Sequence, residues 1–180
     1  MIITVDESQM RLFSLSCFKI LFEQEEYEII VNNHIEVYQY EVYRKELGTL
    51  KYIDMMPITL EEFRKFYFYD EQATNRKIID ERIIAKIASS LNFIENIKIQ
   101  VSPISCFRII LNTNEYYIFL HKTDKKSFKY EIYQKKINTL KYTNTIFVPL
   151  KMIRNYYFGD ENETNYQIID EIVMPQLNIK

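Results

Sequence analysis

The sequence predicts an α+β fold built from two duplicated units, each a four-stranded antiparallel sheet followed by helix, in the order β4-α-β4-α. Three observations carry the prediction. The chain matches itself: Ser16-Cys17-Phe18-Lys19-Ile20 returns as Ser105-Cys106-Phe107-Arg108-Ile109 at an offset of 89. From Tyr40-Glu41-Val42-Tyr43 onward the match runs at an offset of 90, as far as Ile78-Ile79-Asp80-Glu81 against Ile168-Ile169-Asp170-Glu171. Within each copy, apolar residues first alternate with polar ones and then recur every four residues. The reading is one compact domain over 1–180 with repeats at 14–90 and 103–180 joined by 91–102, the repeats related by a pseudo-two-fold axis and sharing a core.

Each element has a local cause. Cys17 to Phe22 and Tyr27 to Val31 are short β-prone runs around the polar Glu23 to Glu26, a hairpin pattern that returns at Cys106 to Leu111 and Tyr116 to Leu120. The third strand alternates Tyr38, Tyr40 and Val42 against Gln39, Glu41 and Tyr43, as Phe128, Tyr130 and Ile132 alternate against Lys129, Glu131 and Tyr133. A fourth strand follows the turn at Glu46-Leu47-Gly48 or Lys136-Ile137-Asn138. Thr59 and Glu62 have capping-box spacing, and Pro149 suits a first helical position. Ile79, Ile83, Ile87 and Leu91 then form one helical face, echoed by Ile169, Val173 and Leu177, with Pro175 expected to end or bend the second helix.

Composition excludes several chemistries. With 2 Gly among 180 residues there is no glycine-built phosphate loop, dinucleotide fingerprint or nucleophile elbow. Cys17 and Cys106 are too few for a disulfide framework and lack metal-ligand spacing, and no apolar run reaches the length of a membrane span. The expectation is a soluble, cytoplasmic protein.

The β4-α-β4-α order over nearly the whole chain resembles the Whirly fold and tandem purine-rich-element-binding (PUR) repeats, which bind single-stranded nucleic acid. It also resembles some immunity proteins of bacterial contact-dependent growth inhibition systems, which block a cognate toxin. The resemblance lies in element order alone and implies a binding role rather than particular residues.

Charge is unevenly spread. Residues 1–100 carry 12 basic and 17 acidic side chains, whereas 101–155 carry 10 and 3. In the first stretch Glu23, Glu25, Glu26, Glu28 and Glu36 gather near Tyr27 and Tyr38, an acidic patch suited to a basic protein partner. In the second, Lys125, Lys126, Lys129, Lys135, Lys136 and Lys141 interleave with Tyr133, the pattern by which cations and aromatics hold single strands. Lysines on a hairpin edge also serve simply to prevent edge-to-edge pairing. A repeated trio, Glu41-Tyr43-Lys45 and Glu131-Tyr133-Lys135, is expected on an exposed stripe of strand three.

Catalytic residues are not expected. His34 and His121 stand in no metal or general-base frame, and Cys17 and Cys106 read as buried inert thiols. The run Asp160 to Asn165 with Glu171 imitates a calcium loop but lacks the glycine at its sharp turn, so helix capping accounts for it better. No metal and no cofactor are expected. The functional expectation is a non-enzymatic protein-binding protein, an inhibitor that neutralises a basic toxin such as a nuclease, acting as monomer or homodimer. The alternative is a single-stranded DNA- or RNA-binding protein using the Lys/Tyr-rich second sheet.

Overall fold

A computed structural model describes residues 10–22, 24–90, 99–111, 113–122, 127–156 and 160–176. Its strands are β1 (Met10–Phe22), β2 (Glu25–Asn33), β3 (Val37–Glu46), β4 (Thr49–Thr59), β5 (Ile99–Leu111), β6 (Asn114–Lys122), β7 (Ser127–Lys136) and β8 (Thr139–Pro149). Short helices follow each set of four: α1 (Leu60–Lys65), α2 (Glu71–Ile78) and α3 (Ile84–Ser90), then α4 (Leu150–Ile153), α5 (Glu161–Ile168) and α6 (Met174–Gln176).

The sheet corrects the expected architecture. All eight strands belong to one hydrogen-bonded order, β1-β2-β3-β4-β8-β7-β6-β5, closed as an antiparallel barrel. Two separate four-stranded sheets are therefore not formed, and the Whirly-like, PUR-like tandem of duplicated β4-α units, with its likeness to growth-inhibition immunity proteins, falls with them. The physical reason lies at the strand edges. A four-stranded meander leaves two rows of unpaired N–H and C=O groups, and alternation within a strand says nothing about what those rows pair with; closure removes them.

Local structure follows the residues closely. Leu47 and Gly48 both take positive φ, 44° and 78°, which matches the twist of the β3-β4 hairpin. Register slips between Val42 and Tyr43, where Val42 faces Asp54 and Tyr43 faces Tyr52, so Ile53 is an extra residue on β4. The same slip between Ile132 and Tyr133 makes Thr143 the extra residue on β8. Thr59 caps α1 by accepting from Glu62 N at 3.1 Å, as its spacing predicts. Pro149 sits at the cap of α4, just before its first helical residue. A single wide π turn, Ile79–Ile83, links α2 to α3, and another, Ile169–Val173, links α5 to α6. Pro175 lies within α6, and Leu91 and Leu177, expected on the helical faces, fall outside the described residues.

Two compact units divide the chain, Ser16–Pro103 and Met1–Leu15 with Ile104–Lys180. In the first, Phe18, Ile20, Tyr40 and Val42 of the sheet meet Phe63, Ile79, Ile83 and Ile87 of the helices, and Val101 packs against them. In the second, Phe107, Ile118 and Tyr130 meet Ile153, Ile168, Ile169 and Val173, with Leu12 alongside. One hydrogen bond repeats at the centre of each core: Tyr40 Oη donates to Asn75 Oδ1 at 2.6 Å, and Tyr130 Oη to Asn165 Oδ1 at 2.9 Å. Burial pushes both phenol pKa values well up.

Candidate interaction surface

The expected acidic patch is dispersed. Glu23 lies outside the described residues. Tyr27, Glu28 and Tyr38 are buried. Tyr27 donates to Glu25 at 2.9 Å, and burial, followed by that carboxylate, raises its pKa to about 12. Tyr38 stacks on Phe63 with centroids 4.0 Å apart. Glu28 has the Cys17 thiol 4.0 Å away. Glu26 is held by Lys19 at 2.9 Å and Lys45 at 3.9 Å. Only Glu25 and Glu36 of the described members are exposed, and they flank opposite ends of β2.

The basic set is partly consumed by ion pairs. Lys125 and Lys126 lie outside the described residues. Lys129 pairs with Glu131 at 2.6 Å, and the buried Tyr133 donates to the same carboxylate at 3.0 Å. Lys135 stands 3.9 Å from Glu115, itself paired with Arg108 at 2.6 Å. Exposed Lys135, Lys136 and Lys141 remain grouped at the β7-β8 hairpin, because Lys141 pairs across the strands with Gln134. The expected stripe on strand three is not open: Tyr43, Glu131 and Tyr133 are all buried on the sheet face away from the helices. Alternation marks two faces but cannot say that both are covered.

His34 bonds Gln39 at 3.1 Å, His121 lies 3.6 Å from Glu131, and both cysteines are buried. Among the described residues no group of three or more His, Cys, Asp or Glu side chains could hold a metal ion. Asp160 instead serves the start of α5, accepting from Glu163 N at 3.4 Å and, through its carbonyl, from Thr164 Oγ1 at 2.9 Å. No helix among the described residues is long and apolar enough to cross a membrane.

A surface that the charge pattern does not single out lies between α1 and α2. Tyr67, Phe68 and Tyr69 are consecutive, and 60%, 62% and 88% exposed. The segment is tightly held although its side chains face water. Phe68 N donates to Thr74 Oγ1 at 2.9 Å, and Thr74 Oγ1 donates to Asp70 O at 2.7 Å. Asp70 N closes a short turn on Phe68 O at 2.8 Å, while its carboxylate caps α2 through Ala73 N at 2.7 Å. Thr74 is fully buried, so these bonds are shielded from competing water. The Lys77 ammonium lies 5.9 Å from the Phe68 ring centroid, and Tyr69 takes φ 67°. The available signal in the sequence is Phe66-Tyr67-Phe68-Tyr69, four aromatics between a Thr59 cap and an Asp70 cap, too many for one loop to bury.

Taken together, the strands close in one antiparallel barrel order, and the connection between α1 and α2 presents exposed aromatic side chains on a hydrogen-bonded backbone. No protein-family model matches the chain, and no curated protein or solved structure matches it at significant similarity.

Proposed function

We propose that the protein is a non-enzymatic binding protein that acts by occluding a protein partner, with neutralisation of a basic toxin as the concrete case. The observation that carries this reading is the exposed Tyr67-Phe68-Tyr69 segment on a hydrogen-bonded scaffold. At about 200 Å² of surface per aromatic side chain, the three expose roughly 400 Å², the size of the largest apolar patch on an ordinary monomer. Tyr and Phe presented without loss of loop freedom are the usual energetic centre of a protein interface. The surrounding unit, 16–103, carries 11 basic and 15 acidic side chains, which favours encounter with a cationic partner.

The test is co-expression with the product of the adjacent gene in the source genome, since an inhibitor is commonly encoded beside its target. The expected result is growth rescue and a stable complex on gel filtration, both lost when Tyr67, Phe68 and Tyr69 are changed together to Ser. Complex formation unaffected by that triple change, or no complex, overturns the proposal. A second reading is supported by the exposed Lys135, Lys136, Lys141 and Tyr142 at the β7-β8 hairpin, a small cationic and aromatic surface for single-stranded nucleic acid. It requires a salt-sensitive shift of an oligonucleotide, and absence of that shift at low salt removes it.

A further inference from the structure

The β7-β8 hairpin ends in an aliphatic residue set among cations. Ile137 stands at its tip, 91% exposed, and Asn138 follows with φ 58°, a conformation its short amide tolerates. Across the strands Lys136 faces Thr139 and Gln134 faces Lys141, so Lys136 and Lys141 share one face of the ribbon and Lys135 lies on the other. Lys136 and Lys141 are exposed and meet no acid in ion-pair range among the described residues. Lys135 is loosely held: its Nζ lies 3.9 Å from Glu115, which Arg108 holds more closely at 2.6 Å. Between Glu131 and Asp160 the sequence has no acid, while Lys135, Lys136, Lys141, Lys151 and Arg154 all fall there.

Behind its tip the hairpin is anchored. Leu140 is fully buried, and the Tyr142 ring packs edge-on against buried Tyr133 with centroids 5.8 Å apart. A folded ribbon therefore holds an aliphatic side chain out in water. The matched hairpin of the first half supplies a contrast. β3-β4 also ends in an exposed aliphatic residue, Leu47, but Glu46 stands where the second half has Lys136 and pairs with Arg44, and Lys45 lies 3.9 Å from Glu26. The apolar tip belongs to both hairpins, and the uncompensated charge to the second alone.

We propose that the β7-β8 hairpin docks on an anionic lipid bilayer, with Ile137 entering the boundary between headgroups and acyl chains and Lys135, Lys136 and Lys141 among the lipid anions. At about 3.3 Å per residue, Lys136 and Lys135 stand roughly 3 and 7 Å behind the tip, at headgroup level when an apolar side chain sinks about 5–10 Å. Each lysine held near such a surface raises binding about fivefold. One aliphatic side chain and three cations give reversible, salt-sensitive attachment rather than a membrane span. Single-stranded nucleic acid, the other polyanion considered for this hairpin, is held by base stacking as well as charge, and an aliphatic tip offers no stacking face. The proposal is independent of the aromatic loop between α1 and α2.

The test is co-sedimentation of the full chain with phosphatidylcholine vesicles, with and without phosphatidylserine as about a third of the lipid. Binding to the mixed vesicles should be at least about tenfold stronger than to phosphatidylcholine alone, and should weaken as salt rises to about 0.15 M. Lys136→Glu copies the charge of the first half and should weaken binding at least about tenfold, whereas Leu47→Ser should leave it unchanged. The chain has no Trp, so Ile137→Trp places a single fluorophore at the tip. Its emission should shift to the blue on the mixed vesicles, and that of Leu47→Trp should not. Far-UV circular dichroism should be unchanged in each variant. Equal binding of the wild type to both kinds of vesicle, or binding to neither, overturns the proposal and depends on no variant. Undiminished binding by folded Lys136→Glu overturns it, as does unshifted Ile137→Trp emission on vesicles that the protein binds. An Ile137→Trp emission change with an oligonucleotide but not with vesicles assigns the hairpin to nucleic acid and overturns it as well.

Discussion

The hydrogen bond between Tyr40 and Asn75 should be among the costliest single contacts to break. Both residues are fully buried, and the bond spans 2.6 Å from β3 to α2. Asn75 Nδ2 has no partner among the described residues, so its carbonyl oxygen is the only satisfied end of that amide. Tyr40→Phe removes the bond and leaves the whole amide buried and unpaired, at a cost of about 1–3 kcal/mol. Asn75→Leu alone strands the Tyr40 hydroxyl and costs a similar amount. Removing both partners together removes the stranded groups as well, so the double variant should lie within about 1 kcal/mol of the wild type, a coupling of at least about 1 kcal/mol and about 3 kcal/mol if each single change costs about 2. Urea unfolding followed by circular dichroism measures all four corners of the cycle, and the same cycle at Tyr130 and Asn165 should give the same sign. Additive losses, with no recovery in the double variant, would refute the reasoning. The functional consequence is that the pair ties the middle of α2 to β3, and with it the helix whose first turn supports the aromatic loop.

Thr74→Val keeps the shape but deletes the bonds to Phe68 N and Asp70 O, so it should cost about 1–2 kcal/mol in urea unfolding and raise amide exchange at Phe68. Changing Tyr67, Phe68 and Tyr69 together to Ser should alter stability by no more than about 0.5 kcal/mol, because the side chains are already in water, yet lower partner affinity at least about 30-fold by calorimetry. Lys86 holds the Asp54 pKa below its ordinary value of 3.8, so the pair's contribution is present above that value and is lost as pH falls through the folded pKa. Lys86→Gln should therefore move the Asp54 carboxyl titration upward by NMR. The raised pKa of Tyr27, about 12, acts in the opposite direction: its contribution is complete below the ordinary phenol value of 10.0 and is lost as pH rises through about 12. Phenolate absorbance should therefore stay below the total tyrosine count at pH near 11 and rise together with alkaline unfolding.

The sequence showed what depends on neighbours in the chain and little of what depends on distant pairing. Strand alternation, the Leu47-Gly48 turn and the Thr59 cap are short-range, and each is present where its residues stand. Barrel closure is set by the outer edges of β1, β4, β5 and β8, whose side-chain pattern is the same whether those edges are paired or open. Charge misled for a related reason. Glu26, Glu28, Lys129 and Glu131 read as solvated residues, but Glu28 and Glu131 are buried and Glu26 and Lys129 half-buried, with Glu131 held by Lys129 and Tyr133 and Glu26 by Lys19 and Lys45. The aromatic loop stands out little in the sequence because Tyr and Phe are common throughout this chain, 15 and 12 of 180, so a run of four carries little contrast.

Tyr69 gives the sharpest separation of stability from function. Its φ of 67° lies in the left-handed region, where a side chain with a β-carbon costs about 1–2 kcal/mol. The matched position in the second half of the sequence is Gly159, the residue that accepts this conformation without strain. Tyr69 is 88% exposed, so burial of its ring returns little of the cost. Replacing it with Gly removes the strain but frees the unfolded chain, and the two effects nearly cancel, leaving stability within about 1 kcal/mol of the wild type. Partner affinity should nevertheless fall at least about tenfold, since an exposed ring held on a rigid loop acts only through what it touches. Urea unfolding and calorimetry on the same Tyr69→Gly protein decide the matter. A large loss of stability would mean that the ring supports the fold, and unchanged affinity would remove Tyr69 from the interface.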